Sequence, residues 1–291
     1  MASSSIRSGP KGPVTYVARV VVIAYLVLLV AWPVSVVLQR TFAPADGAPG
    51  GLGAFLERLQ DPSVVYAFQL TATAAFWAVL LNTVFGVGVS LLLVRYSFPG
   101  RRLLSVLVDL PMSVSPVVVG LALVLAYGGN AGWFGPALQS IGVQIIFSTP
   151  GIILATAFVS LPLVIREIIP VLQEIGTEQE NAARSLGASG RQTFWRVTLP
   201  AIKWALIYGV VLSLARALGE FGAVKIVSQG AAFNGETATL LVQNRYGNYE
   251  ESTAYASAFV LVLIAVAALV VVSILRPKEG PKEGPKEGTA Q

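Results

Sequence analysis

Arg216 and Glu220 stand four residues apart in Ser213–Ala223, a stretch otherwise built from Leu, Ala, Gly and Phe after its first serine. In a helix that spacing puts both side chains on one face. An ionised group at mid-depth in a bilayer costs about 2.5–3.5 kcal/mol, so such charges face a protein interior or a water-filled path. The pair therefore reads as a self-satisfied ion pair or as part of a route for a charged solute. Gly219 and Gly222 on the same stretch allow another helix to come close. Asp109, after Arg101-Arg102 and before Leu110-Pro111, reads as part of an interfacial helix ending near the membrane surface. Arg166-Glu167 reads as the wet cytoplasmic end of a span.

Chemistry of other kinds lacks its parts. The chain has no histidine and no cysteine, which removes the commonest general base, the Ser-His-Asp arrangement, most zinc sites and all thiolates. No convergent carboxylate cluster suggests a membrane enzyme. No Gly-x4-Gly-Lys-Ser/Thr loop occurs, so ATP, if used, is bound by another polypeptide. No cofactor is expected.

The elements that must position these residues are membrane spans. Of 291 residues, 55% are hydrophobic and only 12% charged, and mean hydropathy is +0.71. A soluble domain is nearer 45–50% apolar with about a quarter of its residues charged. Six apolar runs suit helices crossing roughly 30 Å of hydrocarbon: Val17–Leu38, Tyr66–Val94, Leu103–Tyr127, Thr149–Ile169, Ala201–Val224 and Tyr255–Leu275. The first exceeds the roughly 7–15 apolar residues of a signal peptide, so it reads as a retained span. With both termini cytoplasmic, fifteen of the 20 Lys and Arg residues fall inside, and only Arg40, Arg58, Lys225 and Arg245 outside. The sequence pI near 9.6 thus records topology and calls for no nucleic acid.

The expected organisation is a cytoplasmic arm at residues 1–16, a permease domain at 17–275 and a tail at 276–291. The tail carries three Pro-Lys-Glu-Gly units, whose proline and glycine at every fourth residue predict disorder. Between the spans, Arg40–Val65 reads as a polar loop with a short helix. Gly128–Phe147 has no charge and reads as a re-entrant or interfacial segment.

The longest cytoplasmic connection, about residues 174–200, has a structure legible residue by residue. Thr177 and Glu180 have capping-box spacing, opening a short helix through Leu186 that Gly187 ends. Ser189 and Gln192 form a second box, opening a helix through Phe194, Trp195 and Val197; Leu199-Pro200 then opens the fifth span. The product is a helix–glycine–helix elbow with Ala182, Ala183 and Leu186 on one face. Nothing in a membrane requires it, whereas a partner with a groove for a short helix would.

Glu180-Asn181-Ala182-Ala183-Arg184-Ser185-Leu186-Gly187, followed after nine residues by Val197-Thr198-Leu199-Pro200, resembles the "EAA" loop of bacterial ABC-importer permeases. That pattern is Glu-Ala-Ala, a glycine, nine residues and Ile-x-Leu-Pro. Val197 replaces the isoleucine, and Asn181 stands where strict register expects glutamate, with Glu180 one place earlier. Asp109–Leu123 and Arg216–Ala223 resemble the oxyanion branch of the family, in particular the W-type sulfate/thiosulfate permease of a heterodimeric pair. The resemblance implies an all-α polytopic fold of the type I importer class in the bacterial cytoplasmic membrane. It implies two ATPase subunits, a sibling permease and an extracytoplasmic sulfate-binding protein as partners. It assigns Glu180, Asn181, Ala182, Ala183, Leu186, Gly187, Leu199 and Pro200 to ATPase coupling, and leaves Arg216 and Glu220 as the expected pathway residues. Molybdate or tungstate import is the alternative within the branch. An ion-gradient secondary transporter is the alternative outside it, but the two halves of the chain show no evident pseudo-repeat of broken helices.

Overall fold

The computed structural model describes residues 13–44, 49–129 and 132–275; residues 1–12 and the Pro-Lys-Glu-Gly tail lie outside the described residues. Among the described residues the chain is helical, without a β-strand. Five helices are long and apolar enough to cross a membrane, or six counting one bent pair.

Two compact units are present. In the first, α1 (Pro13–Leu26) continues through a π-helical turn at Val27–Ala31 into α2 (Trp32–Phe42), and a short helix α3 (Leu52–Leu59) follows. Pro33 explains the π turn: its ring clashes with the carbonyl four residues back and it has no N–H to donate, and one extra residue in the turn relieves both. The end of α2 is held by polar and aromatic contacts. Thr41 Oγ1 donates to the carbonyls of Val37 and Tyr255, and the rings of Phe42, Phe55 and Phe259 meet at centroid distances of 5.4–6.0 Å.

The second unit holds α4 (Pro62–Arg95), α5 (Arg101–Ser113), α6 (Pro116–Tyr127), α7 (Gly135–Ser140), α8 (Thr149–Ile175), α9 (Glu178–Ser185), α10 (Gly190–Thr193), α11 (Leu199–Leu218) and α12 (Gly222–Val227). Helix α13 (Ala238–Gly247) and helix α14 (Glu251–Leu275) are the last helices among the described residues. Helix α8 is central, packed against α4 and α11. Lipid tails are as apolar as leucine, so helices associate in a bilayer through close packing and interhelical hydrogen bonds. Both are present. A Cβ on Gly209 would lie 3.0 Å from the Cα of Val164, so only a glycine lets α11 approach α8 this closely. Asn82 Nδ2 donates to Ser160 Oγ at 2.8 Å and to Ser213 Oγ at 3.4 Å, joining α4, α8 and α11 in the buried interior.

Three expected spans are redrawn. Leu103–Tyr127 is two helices meeting at a bend of 118°; Val114 and Ser115 are extended, the conformation that Pro116 imposes on the residue before it. The fourth helix runs past Ile169 to Ile175 and accommodates Pro162 and Pro170 within it. The fifth ends at Leu218, not Val224, and Gly219–Phe221 separates it from α12. The uncharged segment before α8 is tucked in as expected, with Ile146 buried against α6, α8 and α12 and the Phe147 N–H donating to Val227 O at 2.7 Å.

Candidate functional site

The elbow is built from its own short-range rules. Gly187 has φ +84°, the left-handed conformation that suits a residue without Cβ. Its N–H donates to Arg184 O at 2.9 Å and that of Ala188 to Ala183 O at 3.0 Å, the paired bonds of a Schellman C-terminus. Ser189 and Gln192 form the expected capping box. Two expectations are corrected. The first capping box does not form: Thr177 makes no side-chain cap bond, its Oγ1 accepting from Asn181 Nδ2 at 3.5 Å, and the Glu180 carboxylate that would reach back is bound to Arg95 and Thr198. No break precedes the fifth span: Gly190–Leu218 is one helix, with a π-helical turn at Phe194–Thr198 that absorbs the missing N–H of Pro200 as the earlier one does for Pro33.

Glu180 points inward. Its side chain is 8% exposed and pairs with Arg95 Nε at 3.2 Å, and Thr198 Oγ1 donates to the same oxygen at 3.0 Å. Arg95 ends α4, and its Nη1 and Nη2 donate to Leu172 O at 3.0 Å and Gly176 O at 2.6 Å. This guanidinium therefore caps the C-terminus of α8, where a positive charge is favoured, while Glu180 sits in the first turn of α9, where a negative one is favoured. One ion pair thus ties α4, α8, α9 and the base of α11 together. Arg95 and Thr198 were not singled out by sequence reasoning, because nothing local marks a partner 85 residues away.

The other expected coupling residues divide by face. Asn181, Ala182 and Gly187 are exposed, Leu186 is 90% exposed, and Ala183 is half-buried. Leu199 is half-buried against the α4–α8–α11 core, and Pro200 is on the surface of the helix.

Arg216 and Glu220 are brought together. Arg216 Nη1 lies 2.7 Å from Glu220 Oε2, with the arginine side chain 37% exposed and the glutamate 2%. Glu220 Oε1 accepts the Ala223 N–H at 2.9 Å, so this carboxylate also fixes the turn from α11 into α12. Arg216 borders a cavity of about 300 Å³ with Val159 and Leu163 of α8 and Pro111, Met112 and Pro116 of the bent pair. Val159 and Leu163 flank the midpoint of α8, so the guanidinium is near the middle of the bundle's central helix.

Residues 82–278 match the family described as binding-protein-dependent transport system inner membrane component. The chain belongs to this family. The elbow and the Arg216–Glu220 pair both lie inside the matched segment of this permease. The permease is 46% identical over 92% of its length to the sulfate transport system permease protein CysW of Synechocystis sp., covering 94% of that protein. It is 46% identical to the protein of the same name from Escherichia coli (strain K12), over 78% of this chain and 77% of that one. Its fold is similar to that in a crystal structure of a bacterial ABC transporter involved in the import of the acidic polysaccharide alginate. The TM-score is 0.71 with 20% identity, over 90% of this chain and 93% of the other. The permease is thus a multi-pass membrane protein of an ABC importer.

Proposed function

We propose that this permease carries a tetrahedral oxyanion of the sulfate class into the cell, driven by ATP hydrolysis on separate subunits. The observation that carries the reading is the Arg216–Glu220 pair, a half-exposed cation at mid-bundle whose compensating carboxylate is buried. An anion passing the cavity meets a guanidinium that has donors to spare, while Glu220 neutralises it when the path is empty. Contacts of this kind are weak and transient, which suits release. The names of the cyanobacterial and enterobacterial relatives support sulfate as the cargo.

In this reading both termini and the elbow are cytoplasmic, supported by the distribution of basic residues. The partners are two ATPase subunits, a sibling permease and an extracytoplasmic sulfate-binding protein. The exposed Ala182–Leu186–Gly187 face docks on an ATPase, and Asn181 lies on the same exposed helix. Closure of the ATPase pair moves α9. Gly190–Leu218 is one rod, so movement at Thr198 reaches Arg216 about 27 Å away. Through Glu180 and Arg95 the same movement reaches α4 and α8.

Uptake of labelled sulfate, thiosulfate and molybdate by a strain lacking this gene, with and without the gene restored, tests the proposal. Sulfate uptake restored by the gene is expected. Restoration of molybdate uptake alone would move the cargo to the alternative oxyanion, and uptake unaffected by the gene would overturn the proposal.

A further inference from the structure

We infer that Arg166, paired with Asp109, forms a second oxyanion station on the same groove as Arg216, one step nearer the cytoplasmic end; this rests on the oxyanion reading above. Arg166 Nε and Nη2 lie 3.1 and 2.9 Å from Asp109 Oδ1. Both side chains are about half exposed, at 50% and 48%. Their placement is what needs explaining. Arg166 is nine residues before the end of α8, roughly 14 Å along its axis. Asp109 is eight residues into α5 from Arg101, roughly 12 Å. Asp109 is one turn before the end of α5 at Ser113, and Arg166 stands where the uncharged stretch Thr149–Ile165 of α8 ends. A half-exposed ion pair at the edge of that apolar stretch faces a water-filled path or the bundle interior rather than lipid.

Val159, Leu163 and Arg166 are spaced to lie on one stripe of α8, and Asp109 and Met112 on one stripe of α5. Val159, Leu163 and Met112 line the cavity that Arg216 borders, so the Arg166–Asp109 pair continues that cavity by one helical turn. Along α8, Arg166 is about 5–10 Å beyond the two residues, Leu163 and Val159, that line the cavity with Arg216. The two stations share a design. In each, a carboxylate engages part of the guanidinium and leaves other N–H donors directed elsewhere: Nη1 of Arg166, and Nε and Nη2 of Arg216. A tetrahedral dianion accepts two such donors at once. It is handed from one pair to the next without a tight site that would oppose release.

The test uses the complete importer in proteoliposomes, with labelled sulfate as the probe. The chain has no cysteine, so Leu163→Cys introduces one thiol between the two stations. A charged, membrane-impermeant thiosulfonate should label that position on this chain, and millimolar sulfate should slow labelling at least fivefold. No labelling, or labelling indifferent to sulfate, overturns the inference. Arg166→Gln should lower the sulfate moved per ATP hydrolysed at least tenfold, with Arg166→Lys retaining part of it. The double variant Asp109→Asn with Arg166→Gln removes both charges, so a purely structural ion pair would be repaired by it. A station would not, and sulfate per ATP should stay low. Normal transport by the double variant overturns the inference alone; no sulfate uptake by the unmodified complex overturns the function on which it rests, and the inference with it.

Discussion

Replacing Glu180 with alanine should loosen the joint between the elbow and the bundle, and the structure gives the size of the effect. The carboxylate and the Arg95 guanidinium are 3.2 Å apart with side-chain exposures of 8% and 10%. At an effective dielectric near 20, a pair at that distance attracts by about 5 kcal/mol. Removing one partner of a buried pair typically costs about 3–5 kcal/mol, because the other charge is left uncompensated. Arg95 keeps two carbonyl acceptors, at Leu172 and Gly176, which places Glu180→Ala near the lower figure, about 3 kcal/mol. For a chain of this size that is a fall in Tm of roughly 6–12 °C, read by thermal melting of the detergent-solubilised complex. Replacing both residues by leucine should recover much of the loss, since no unpaired charge remains. The double-mutant cycle should give a coupling energy of about 2–3 kcal/mol. A Glu180→Ala melt within about 1 °C of the unmodified protein, or a coupling energy below about 0.5 kcal/mol, would show that this pair does not hold the elbow to the bundle.

Other outcomes follow from the same geometry. A Cβ at Gly187 meets nothing within 4 Å, but φ is +84°, so Gly187→Val should cost about 1–2 kcal/mol while Gly187→Asn is tolerated better; susceptibility of the elbow to limited proteolysis measures this. Gly187→Trp should block ATPase docking and abolish substrate-stimulated ATP hydrolysis while membrane insertion proceeds, and normal stimulation would remove the docking proposal. Gly209→Leu should force α11 away from Val164 and Glu167 of α8, at a cost of about 1–3 kcal/mol or more, seen as a lower yield of monodisperse complex. Ser189→Ala removes the bond to the Gln192 N–H and should destabilise the elbow by about 1 kcal/mol, detectable as faster amide exchange over residues 190–193.

What was legible in the sequence is what local rules govern. Gly187 ending a helix and Ser189 with Gln192 starting another depend on residues within a few positions of each other, and the structure has both. Apolar length located the long helices, while prolines misled about where they stop. Pro200 reads in the sequence as the start of a span, yet it is absorbed by a π-helical turn in a continuous helix, as is Pro33 within the first span. Pro170 is carried within α8, which moves Arg166 from an expected helix end into the interior of the helix. The Arg216–Glu220 pair was visible because its members are four apart. The Arg95–Glu180 and Asp109–Arg166 pairs were not, because 85 and 57 residues separate their members and only the packing of α4, α5 and α9 against α8 and its end joins them. The departure from the family's loop pattern also acquires a reason. Glu180, one place early, is turned toward Arg95 and Thr198, and Asn181 takes the exposed position.

The most direct measurement is the flux of labelled sulfate into proteoliposomes holding this chain with its sibling permease, two ATPase subunits and the binding protein. Flux and ATP hydrolysis would be recorded together for the unmodified chain and for Arg216→Gln. Sulfate entry should require ATP and fall at least tenfold in the variant. Entry driven by an ion gradient without ATP, or undiminished in Arg216→Gln, would contradict ATP-driven passage of sulfate past Arg216.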